Sequence, residues 1–199
     1  KLLLWTLETC GPIFLKLGQW ASTRRDLFAE EVCNELSKLQ RNITPHSWKY
    51  TRRALAQAFG ERYMDDVFVE FDQKPIGSGC CAQVYSAVIR TSNGEDDYLN
   101  VAVKVLHPGI AQDVVRDLNV IKFVVSFSSR VFPSLNWLSM REAVDEFAAL
   151  MLMQIDLTGE AKNLEIFRKN FGEDRRKIVF PKPLWSLCSR DILVETFEN

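Results

Sequence analysis

The sequence lacks the residue patterns that define disulfide-rich and zinc-binding proteins. Its five cysteines are odd in number and form no C-x-x-C pair, and its only two histidines, His46 and His107, are far apart in the sequence. Cys80 and Cys81 are adjacent, which disfavours both metal chelation and a disulfide between them. We therefore expect neither a disulfide framework nor a structural metal site, and a reducing compartment fits this cysteine usage better than an oxidising one.

Long apolar runs and an excess of charge of either sign are missing as well. The run VIKFVVSF is interrupted by Lys122 and falls well short of the roughly 20 residues that span a bilayer. With 25 basic and 26 acidic residues the net charge is −1, which argues against a general nucleic-acid-binding protein. Hydrophobic residues make up 47% of the 199-residue chain, enough for the core of one domain or of one lobe of a larger domain.

Helical spacing dominates the first part of the chain. The segment FLKLGQWASTRRDLFAEEVCNELSKLQ predicts a helix, a bend and a second helix. PHSWKYTRRALAQAFG predicts a further amphipathic helix, in which Trp48, Leu55 and Phe59 share a face and Gly60 forms the C-cap. These helices form the first predicted domain, residues 1–65.

From about Val67 the period changes to that of strands. VFVEFDQKPIGSGCCAQVYSAVIR alternates in short β-rich pieces, Asn93-Gly94 is a strong hairpin signal, and LNVAVKVL predicts the returning strand. We therefore predict three antiparallel strands in series, with a glycine-bearing turn between the first two. They open the second predicted domain, residues 66–199.

The rest of this domain is predicted to be helical before it returns to strands. PGIAQDVVRDLNVIKFVVSFSSRVF predicts one helix, and SMREAVDEFAALMLMQIDLTGEAKNLEIFRKNFG predicts one long helix that can bend at Gly159. IVFPKPLWSLCSRDILVETFEN predicts two more strands. The predicted fold class is therefore α+β.

The glycine-bearing turn and a later lysine together predict a phosphate site. The turn lies in PIGSGCCAQVYSAVI, and taken alone its short glycine pattern is more often a softened strand than a ligand loop. Lys104 in VAVKV returns on the neighbouring strand, where its ammonium can neutralise phosphates held by backbone N–H groups of the turn. A lysine among valines can also lie at a sheet edge with its head in water. Loop, hairpin and lysine together favour phosphate binding.

A lysine that points into a cleft needs an acidic partner. Glu160, on the predicted long helix, is the candidate for Lys104. Loss of one member of a buried ion pair costs roughly 3–5 kcal/mol, so both residues are expected to matter to folding. Asp156 lies four residues earlier on the same predicted helix face, where a solvated helix acid is an equally good interpretation.

Four blocks of sequence, taken in order, resemble one family. KLGQ with its continuation WASTRRDLFAEEVCNELSKLQ, then AQVYSA, VAVKVLHPGI and QIDLTGEAKN, resemble the UbiB-type atypical kinases, also called aarF-domain-containing kinases, over residues 10–199. The KxGQ motif is the most specific block, since ordinary kinases lack it. The resemblance implies a protein-kinase-like N-terminal lobe of antiparallel sheet and αC-type helix, preceded by a helical KxGQ extension, with the C-terminal lobe absent.

The resemblance also implies roles for individual residues. Lys16 and Gln19 would be the KxGQ lysine and glutamine, on an extension that in this family covers the region where a protein substrate would bind. Lys104 would be the phosphate-binding lysine, Glu160 its ion-pair partner, and Asp156 the acid of the family's ExD motif. Nucleotide contacts are implied for Gly77, Ser78, Gly79, Cys80, Ala82 and Val84 in the loop, and for backbone groups near Glu195 and Phe197 at the adenine hinge.

Two features depart from the family pattern. The family loop is usually alanine-rich, whereas Gly77 and Gly79 allow positive φ and a closer approach of the backbone to phosphate. Gln154 stands at the first position of ExD, where its amide keeps the shape of a carboxylate but offers no charge to a magnesium ion or to Lys16. The resemblance therefore leaves open the nucleotide preference and an altered or weakened catalytic centre.

The resemblance implies the nucleotide-binding lobe of an atypical kinase or ATPase that uses ATP or ADP with Mg²⁺. It places the parent protein in mitochondria and links it to coenzyme Q or other lipid metabolism, with isoprenoid lipid, coenzyme Q biosynthetic proteins and a membrane surface as partners. The alternative is a catalytically weakened pseudokinase, a scaffold that responds to nucleotide and lipid. Because the chain begins at Lys1 and ends at the implied hinge, we expect a fragment that does not transfer phosphate by itself.

Overall fold

The computed structural model describes residues 2–40, 43–90, 98–131, 140–171 and 179–198. Its α-helices are α1 (Leu2–Cys10), α2 (Pro12–Ala21), α3 (Glu30–Leu36), α4 (Trp48–Phe59), α5 (Tyr63–Asp66), α6 (Ile110–Val131), α7 (Met140–Gln154) and α8 (Leu157–Phe171). Its strands are β1 (Phe68–Phe71), β2 (Gly77–Ser78), β3 (Ala82–Arg90), β4 (Tyr98–Leu106) and β5 (Ile192–Thr196). Short 3₁₀ helices lie at Ser37–Gln40 and Trp185–Leu187.

The chain divides into two compact units, which differ from the predicted domains 1–65 and 66–199. Lys1–Ile43 with Gly109–Met153 forms one, called here the helical unit. Thr44–Pro108 with Gln154–Asn199 forms the other, called here the sheet unit. The division follows contacts within the chain, and the two predicted domains stay predictions.

The helical unit is built around α2, which packs on α1, α3, α6 and the 3₁₀ helix Ser37–Gln40. Its buried face carries Ile13, Leu15 and Gly18. A Cβ at Gly18 would stand 2.6 Å from Cδ1 of Leu39, closer than real Cβ atoms approach a carbon atom. Glycine therefore allows α2 to lie this close to the 3₁₀ helix.

Helix α2 begins at a second glycine that the packing requires. Gly11 has φ +135°, and a Cβ there would lie 2.1 Å from Oδ2 of Asp117 on α6. Asp117 is 2% exposed, and its Oδ2 accepts a long hydrogen bond from the Ile13 N–H at 3.4 Å. A carboxylate is stabilised at this position because the first N–H groups of a helix lack partners within the helix.

The sheet unit contains an antiparallel sheet in the order β1-β3-β4-β5, with the short β2 also paired to β3. Alternation along VAVKV assigns the side chains to two faces, so Lys104 lies on the face opposite the core. Leu55 of α4 is fully buried in that core, and Trp48 and Phe59 pack against it, which confirms the predicted apolar face of this helix. The core residues of β4 are at most 1% exposed: Val101, Val103 and Val105.

Two predicted turns can be compared with this unit. Gly60, with φ +89°, follows α4 as its C-cap, as predicted. Strands β3 and β4 pair antiparallel from Ala82↔Leu106 to Arg90↔Tyr98, the register of a hairpin. The predicted Asn93-Gly94 turn itself lies outside the described residues.

The predicted long helix is wrong, because the chain forms two helices with a break at Ile155–Asp156 rather than a bend at Gly159. Oδ1 of Asp156 accepts hydrogen bonds from the N–H (3.0 Å) and the hydroxyl (2.6 Å) of Thr158. Asp156 thus caps the N-terminus of α8, because its carboxylate satisfies a backbone N–H that would otherwise lack a partner.

The first of the two predicted final strands is also wrong. Between α8 and β5 the described chain forms only an isolated bridge, of Pro183 with Glu195, and the 3₁₀ helix Trp185–Leu187. Two backbone bonds hold this segment, from Leu184 N–H to the Val194 carbonyl and from Thr196 N–H to the Lys182 carbonyl. Pro183 has no N–H to donate, so a regular ladder cannot continue through it.

Among the described residues, no helix has both the length and the apolar character needed to cross a membrane.

Candidate functional site

An ion pair joins the sheet to helix α8. Nζ of Lys104 on β4 lies 2.7 Å from both Oε1 and Oε2 of Glu160 on the first turn of α8. The two side chains are 28% and 42% exposed, so water screens their attraction. The pairing predicted from the sequence is present, but the expected cost of 3–5 kcal/mol for losing one partner does not apply to a pair this exposed.

A cross-strand row places the predicted loop and the lysine on one face. Gly77 pairs with Val84, Val84 pairs with Lys104, and Lys104 pairs with Leu193. Residues directly opposite each other in a sheet share a face, so these four positions lie side by side. With strands about 4.8 Å apart, Gly77 stands about 10 Å from Lys104 on the face that carries Glu160.

The loop glycines do not have the backbone geometry that the sequence led us to expect. Among the described glycines, positive φ occurs at Gly11, Gly60 and Gly109, and not at Gly77 or Gly79. A Cβ at Gly77 would meet nothing within 4 Å, and one at Gly79 would meet only the Ala82 carbonyl at 3.6 Å. What these glycines provide is open space above the backbone rather than a left-handed turn.

The remaining loop residues divide between the two faces of the sheet. The Gly79 N–H donates to the Ala82 carbonyl at 2.8 Å and closes the turn that holds Cys80 and the buried Cys81. Ser78 pairs with Gln83, so its side chain lies on the face opposite Lys104. Its hydroxyl is buried and has no hydrogen-bond partner among the described residues. Only the backbone of Ser78 is therefore placed to serve the predicted phosphate contact.

A second carboxyl group lies close to the ion pair. Glu195 on β5 pairs with Ala102, so its side chain is on the same face as Lys104. Burial raises the pKa of Glu195, the negative charge of Glu160 raises it further, and Lys104 opposes both effects. Its Oε2 is buried without a hydrogen-bond partner among the described residues. The sequence predicted only backbone contacts at this position and missed the carboxyl group.

The predicted hinge contact at Phe197 is partly blocked. The Phe197 N–H donates to the Asn100 carbonyl at 3.0 Å, which extends the pairing of β5 with β4. This amide is therefore already used within the sheet and cannot donate to an adenine in the same arrangement.

The two residues assigned to ExD lie at the break between α7 and α8. Gln154 is exposed at the end of α7, and Asp156 caps α8. The hydrogen bond from the Thr158 hydroxyl is the main reason that the pKa of Asp156 lies below its ordinary value. Burial opposes this effect, and the Thr158 N–H, Arg190 and Lys162 add smaller contributions that lower the pKa. Asp156 is thus an ionised cap, not a member of a continuous helix face with Glu160.

The KLGQ residues belong to α2 in the helical unit. The Gln19 amide donates from Nε2 to the Leu39 carbonyl at 2.9 Å, which ties the helix to the 3₁₀ helix Ser37–Gln40. Lys16 lies three residues earlier and is half-buried. Residues three apart share a helix face, as predicted from the spacing.

The two histidines lie in contact in the sheet unit, and this contact was not predicted from the sequence. Nδ1 of His46 and Nδ1 of His107 are 2.7 Å apart, and Nε2 of His107 lies 2.7 Å from the Gly79 carbonyl oxygen. The backbone N–H of His107 also donates to the Cys81 carbonyl at 2.8 Å. Their separation along the chain concealed this contact. The one available signal was the position of His107 directly after the buried strand LNVAVKVL.

The arrangement in the sheet unit defines a class of protein. A turn with open space above it, a lysine from the adjacent long strand, and a glutamate from the helix that pairs with that lysine are the elements of a kinase-like lobe. The chain matches the ABC1 atypical kinase-like domain over residues 38–198, and it therefore belongs to this family, also known as UbiB or aarF. The family resemblance seen in the sequence is confirmed.

Relatives with curated descriptions support this assignment. An ABC1 family protein of Saccharomyces cerevisiae, described as mitochondrial, is 40% identical over 98% of this chain and 31% of its own length. A "Probable serine/threonine-protein kinase abkC" of Dictyostelium discoideum is 37% identical over 100% of this chain and 28% of its own length. An ABC1 family protein of Schizosaccharomyces pombe, also described as mitochondrial, is 34% identical over 99% and 32%, respectively.

One solved structure shares the fold. A Mycobacterium tuberculosis protein, determined in complex with erythromycin, superposes with a TM-score of 0.62 and 23% identity over 93% of this chain and 43% of its own. The α+β class, with an antiparallel sheet and helices in a kinase-like domain, is thus confirmed. The chain spans about a third of the length of the curated relatives that it matches.

Proposed function

We propose that this chain is the nucleotide-binding lobe of an ABC1-type atypical kinase or ATPase, and that it binds ATP or ADP together with Mg²⁺. The observation that carries the proposal is the Lys104–Glu160 pair on the same sheet face as Gly77. An ammonium has three N–H groups, and the Glu160 carboxylate uses two of those of Lys104. The third can donate to a phosphate oxygen, and the open space above Gly77 leaves room for the phosphates.

The magnesium ion in this proposal belongs to the nucleotide. In the described ranges, no group of three or more His, Cys, Asp or Glu side chains could hold a metal ion. Nucleotide phosphates bind Mg²⁺ themselves, and kinases add metal ligands beyond the hinge. This lobe would therefore contribute the ammonium of Lys104, oriented by Glu160, and the backbone of the turn Gly77–Ala82.

The wider role is inferred from the family. Two of the relatives are described as mitochondrial, so we extend the proposal to a mitochondrial protein. The family resemblance adds a link to coenzyme Q or other lipid metabolism, with isoprenoid lipid, coenzyme Q biosynthetic proteins or a membrane surface as partners. In the same proposal α2, with Lys16 and Gln19, is the KxGQ extension that covers the substrate region of the parent protein.

A specific residue favours a second candidate function. Gln154 stands in place of the acidic residue of ExD, and its amide provides no negative charge there. This substitution supports a pseudokinase that binds nucleotide without turning it over and acts as a scaffold for lipid or biosynthetic proteins.

Thermal unfolding with Mg²⁺-ADP tests the nucleotide site. Nucleotide at about 100 times its Kd should raise the free energy of unfolding by about 2.7 kcal/mol. Lys104→Met should abolish this stabilisation but change the stability of the nucleotide-free chain by less than about 1 kcal/mol, because the ion pair is half exposed. Lys49→Met is the matched control, since this exposed lysine lies on α4, which covers the other face of the sheet.

Either of two outcomes would overturn the proposal: a folded wild-type chain that nucleotide does not stabilise, or a Lys104→Met chain that it stabilises fully. ATP hydrolysis by the full-length protein then separates the two candidate functions. Turnover that Lys104→Met abolishes would establish the enzyme. Binding without turnover, with activity gained in Gln154→Glu, would establish the scaffold.

A further inference from the structure

A continuous network of side-chain hydrogen bonds begins at the glycine turn and ends in the core of the sheet unit. It runs from the Gly79 carbonyl through His107 and His46 to the Thr51 hydroxyl, with Nε2 of His46 at 2.8 Å from Oγ1 of Thr51. The Thr51 hydroxyl lies 2.5 Å from the Tyr85 hydroxyl, which also accepts a hydrogen bond from the side-chain NH₂ group of Gln83. The three residues at the core end of this hydrogen-bond network are fully buried: Thr51, Gln83 and Tyr85.

The chemistry of the groups fixes the direction of every bond. A carbonyl oxygen only accepts, so Nε2 of His107 carries a proton and, in the neutral ring, its Nδ1 accepts. His46 must then donate from Nδ1 and accept at Nε2, where the Thr51 hydroxyl donates. The same direction continues into the core, because the hydroxyl of Tyr85 donates to Oγ1 of Thr51. The NH₂ group of Gln83, which can only donate, in turn donates to the Tyr85 hydroxyl.

An additional proton would break this order. Protonation of Nδ1 on His107 would force His46 to donate from Nε2, so the Thr51 hydroxyl would turn toward Tyr85. The Tyr85 proton would then have no acceptor in a fully buried site, which disfavours the protonated arrangement.

The pKa directions agree with two neutral rings. Burial, and then the neighbouring His107, lower the pKa of His46 to about 4. Burial lowers the pKa of His107 as well, against the opposing effect of its bond to Gly79. The described hydrogen-bond and ring partners of the two imidazoles, besides each other, are uncharged: the Thr51 hydroxyl, the Gly79 carbonyl and the edge of the Tyr50 ring.

The hydrogen-bond network lies on the sheet face away from Lys104, and this position determines how the Gly79 carbonyl is oriented in the turn. Gln83 and Tyr85 lie on the sheet face opposite Lys104, since side chains alternate along β3 and β4. His107 therefore holds the Gly79 carbonyl oxygen on the side away from Lys104. In a planar trans peptide the C=O and the following N–H point in opposite directions, so one bond fixes the whole Gly79–Cys80 peptide. A flipped peptide would turn a partially negative oxygen toward bound phosphates.

We propose that His107 is a positioning residue for the turn Gly77–Ala82, and that His46 imposes the tautomer through which His107 holds the Gly79 carbonyl away from the phosphate side. The proposal rests on the nucleotide site described above. A histidine suits the position because a neutral imidazole donates at one nitrogen and accepts at the other in a fixed geometry.

The tautomers can be measured without any ligand. The chain has only two histidines, so ¹⁵N-labelled histidine gives two imidazole spin systems, and His46→Gln assigns them by removing one. Long-range ¹H–¹⁵N correlation spectra at pH 7 should show His107 with its proton on Nε2 and His46 with its proton on Nδ1. Two identical tautomers, or a charged ring at pH 7, would overturn the proposal whether or not nucleotide binds.

Nucleotide titration of the same wild-type sample tests the effect on the turn. Saturating Mg²⁺-ADP should shift the Nε2 resonance of His107 more than either nitrogen of His46, with both tautomers preserved. If thermal unfolding shows that nucleotide binds but the imidazole resonances of neither histidine shift, the positioning role is wrong and the nucleotide site stands. If no nucleotide binds at all, the proposed function fails and the tautomer measurement still judges the network.

Matched variants separate positioning from stability. His107→Phe keeps an aromatic ring but removes the bond to Gly79, and it should raise the Kd for Mg²⁺-ADP about tenfold. His107→Gln retains an N–H donor near the Nε2 position and should recover most of that loss. Tyr85→Phe breaks the same network at its core end, so it should lower the Tm while leaving the Kd unchanged. Equal Kd values in wild type and His107→Phe, or equal losses in His107→Phe and Tyr85→Phe, would show that the network serves only stability.

Discussion

Two glycines of the helical unit and two of the sheet unit differ in what an added side chain would meet. In the helical unit a Cβ at Gly11 or Gly18 would collide with Asp117 or Leu39. In the sheet unit a Cβ at Gly77 would meet open space, and one at Gly79 would make an ordinary contact. The packing therefore accounts fully for the first pair and gives no reason for the second.

The polar side chains follow the same division. In the helical unit the Gln19 amide is used on the Leu39 carbonyl, and buried Asp117 lies at the first turn of α2. In the sheet unit one N–H of Lys104 and a buried oxygen of Glu195 are left over from the interactions within the described part. Buried polar groups in folded proteins are nearly always hydrogen-bonded. Donors and acceptors that are left without partners beside open space therefore indicate a ligand site.

The largest effect is expected for Gly11→Ala. The substitution places a Cβ 2.1 Å from the Asp117 carboxylate on a backbone with φ +135°, so strain and overlap should together lower the free energy of unfolding by about 3 kcal/mol. Chemical denaturation measures it. Gly60→Ala is the matched control, because its φ of +89° gives similar strain with nothing within 4 Å, and it should cost only about 1 kcal/mol. Equal costs would mean that the Asp117 contact is unimportant.

Gly18→Ala should be the next largest change. Its Cβ would lie 2.6 Å from Leu39 and 3.0 Å from Leu7, but both contacts are with the ends of side chains that can move. Overpacking of about 2 kcal/mol, offset by the better helix propensity of alanine, gives a net loss of about 1 kcal/mol. In a Leu39→Val background the loss should disappear, because the shorter side chain leaves room. An undiminished loss in that background would show that the glycine matters for another reason.

Local periodicity predicted those parts of the site that depend on neighbours in the chain. Alternation in VAVKV places Lys104 opposite its flanking valines. Its partner Glu160 lies 56 residues further on and was predicted instead from the need of a lysine in a cleft for an acid on the predicted long helix. The break before α8 was missed because helical spacing runs through Ile155, whereas the boundary depends on a competing side-chain bond from Asp156. The His46–His107 contact joins residues 61 apart, and no local pattern contains that information.

A smaller effect, visible mainly in its pH dependence, is expected for Glu195→Gln. The folded-state pKa of Glu195 is raised, so the folded chain holds this proton more tightly than the unfolded chain does. The resulting stability is present below the ordinary pKa of 4.5 and is lost as the pH rises through the folded-state value. Glutamine resembles the protonated form, so Glu195→Gln should raise the Tm at pH 7 relative to wild type and flatten its decline above pH 4.5. Glu146→Gln, on exposed α7 surface, should do neither; a parallel response of both variants would mean that Glu195 is not specially disfavoured as an anion.

Gly77→Ala sharpens the comparison furthest, although its effect on stability is the smallest. Gly77 has neither a positive φ nor a neighbour within 4 Å of a Cβ, so alanine should fit and stabilise the chain by about 0.5 kcal/mol through the lower entropy of the unfolded state. The methyl group would nevertheless occupy the space proposed for phosphate, so the stabilisation by Mg²⁺-ADP should fall. A variant that is more stable than wild type but binds nucleotide more weakly would show that Gly77 serves the ligand and not the fold. A gain in stability with undiminished nucleotide binding would leave the open space unexplained and would move the phosphates elsewhere on the sheet.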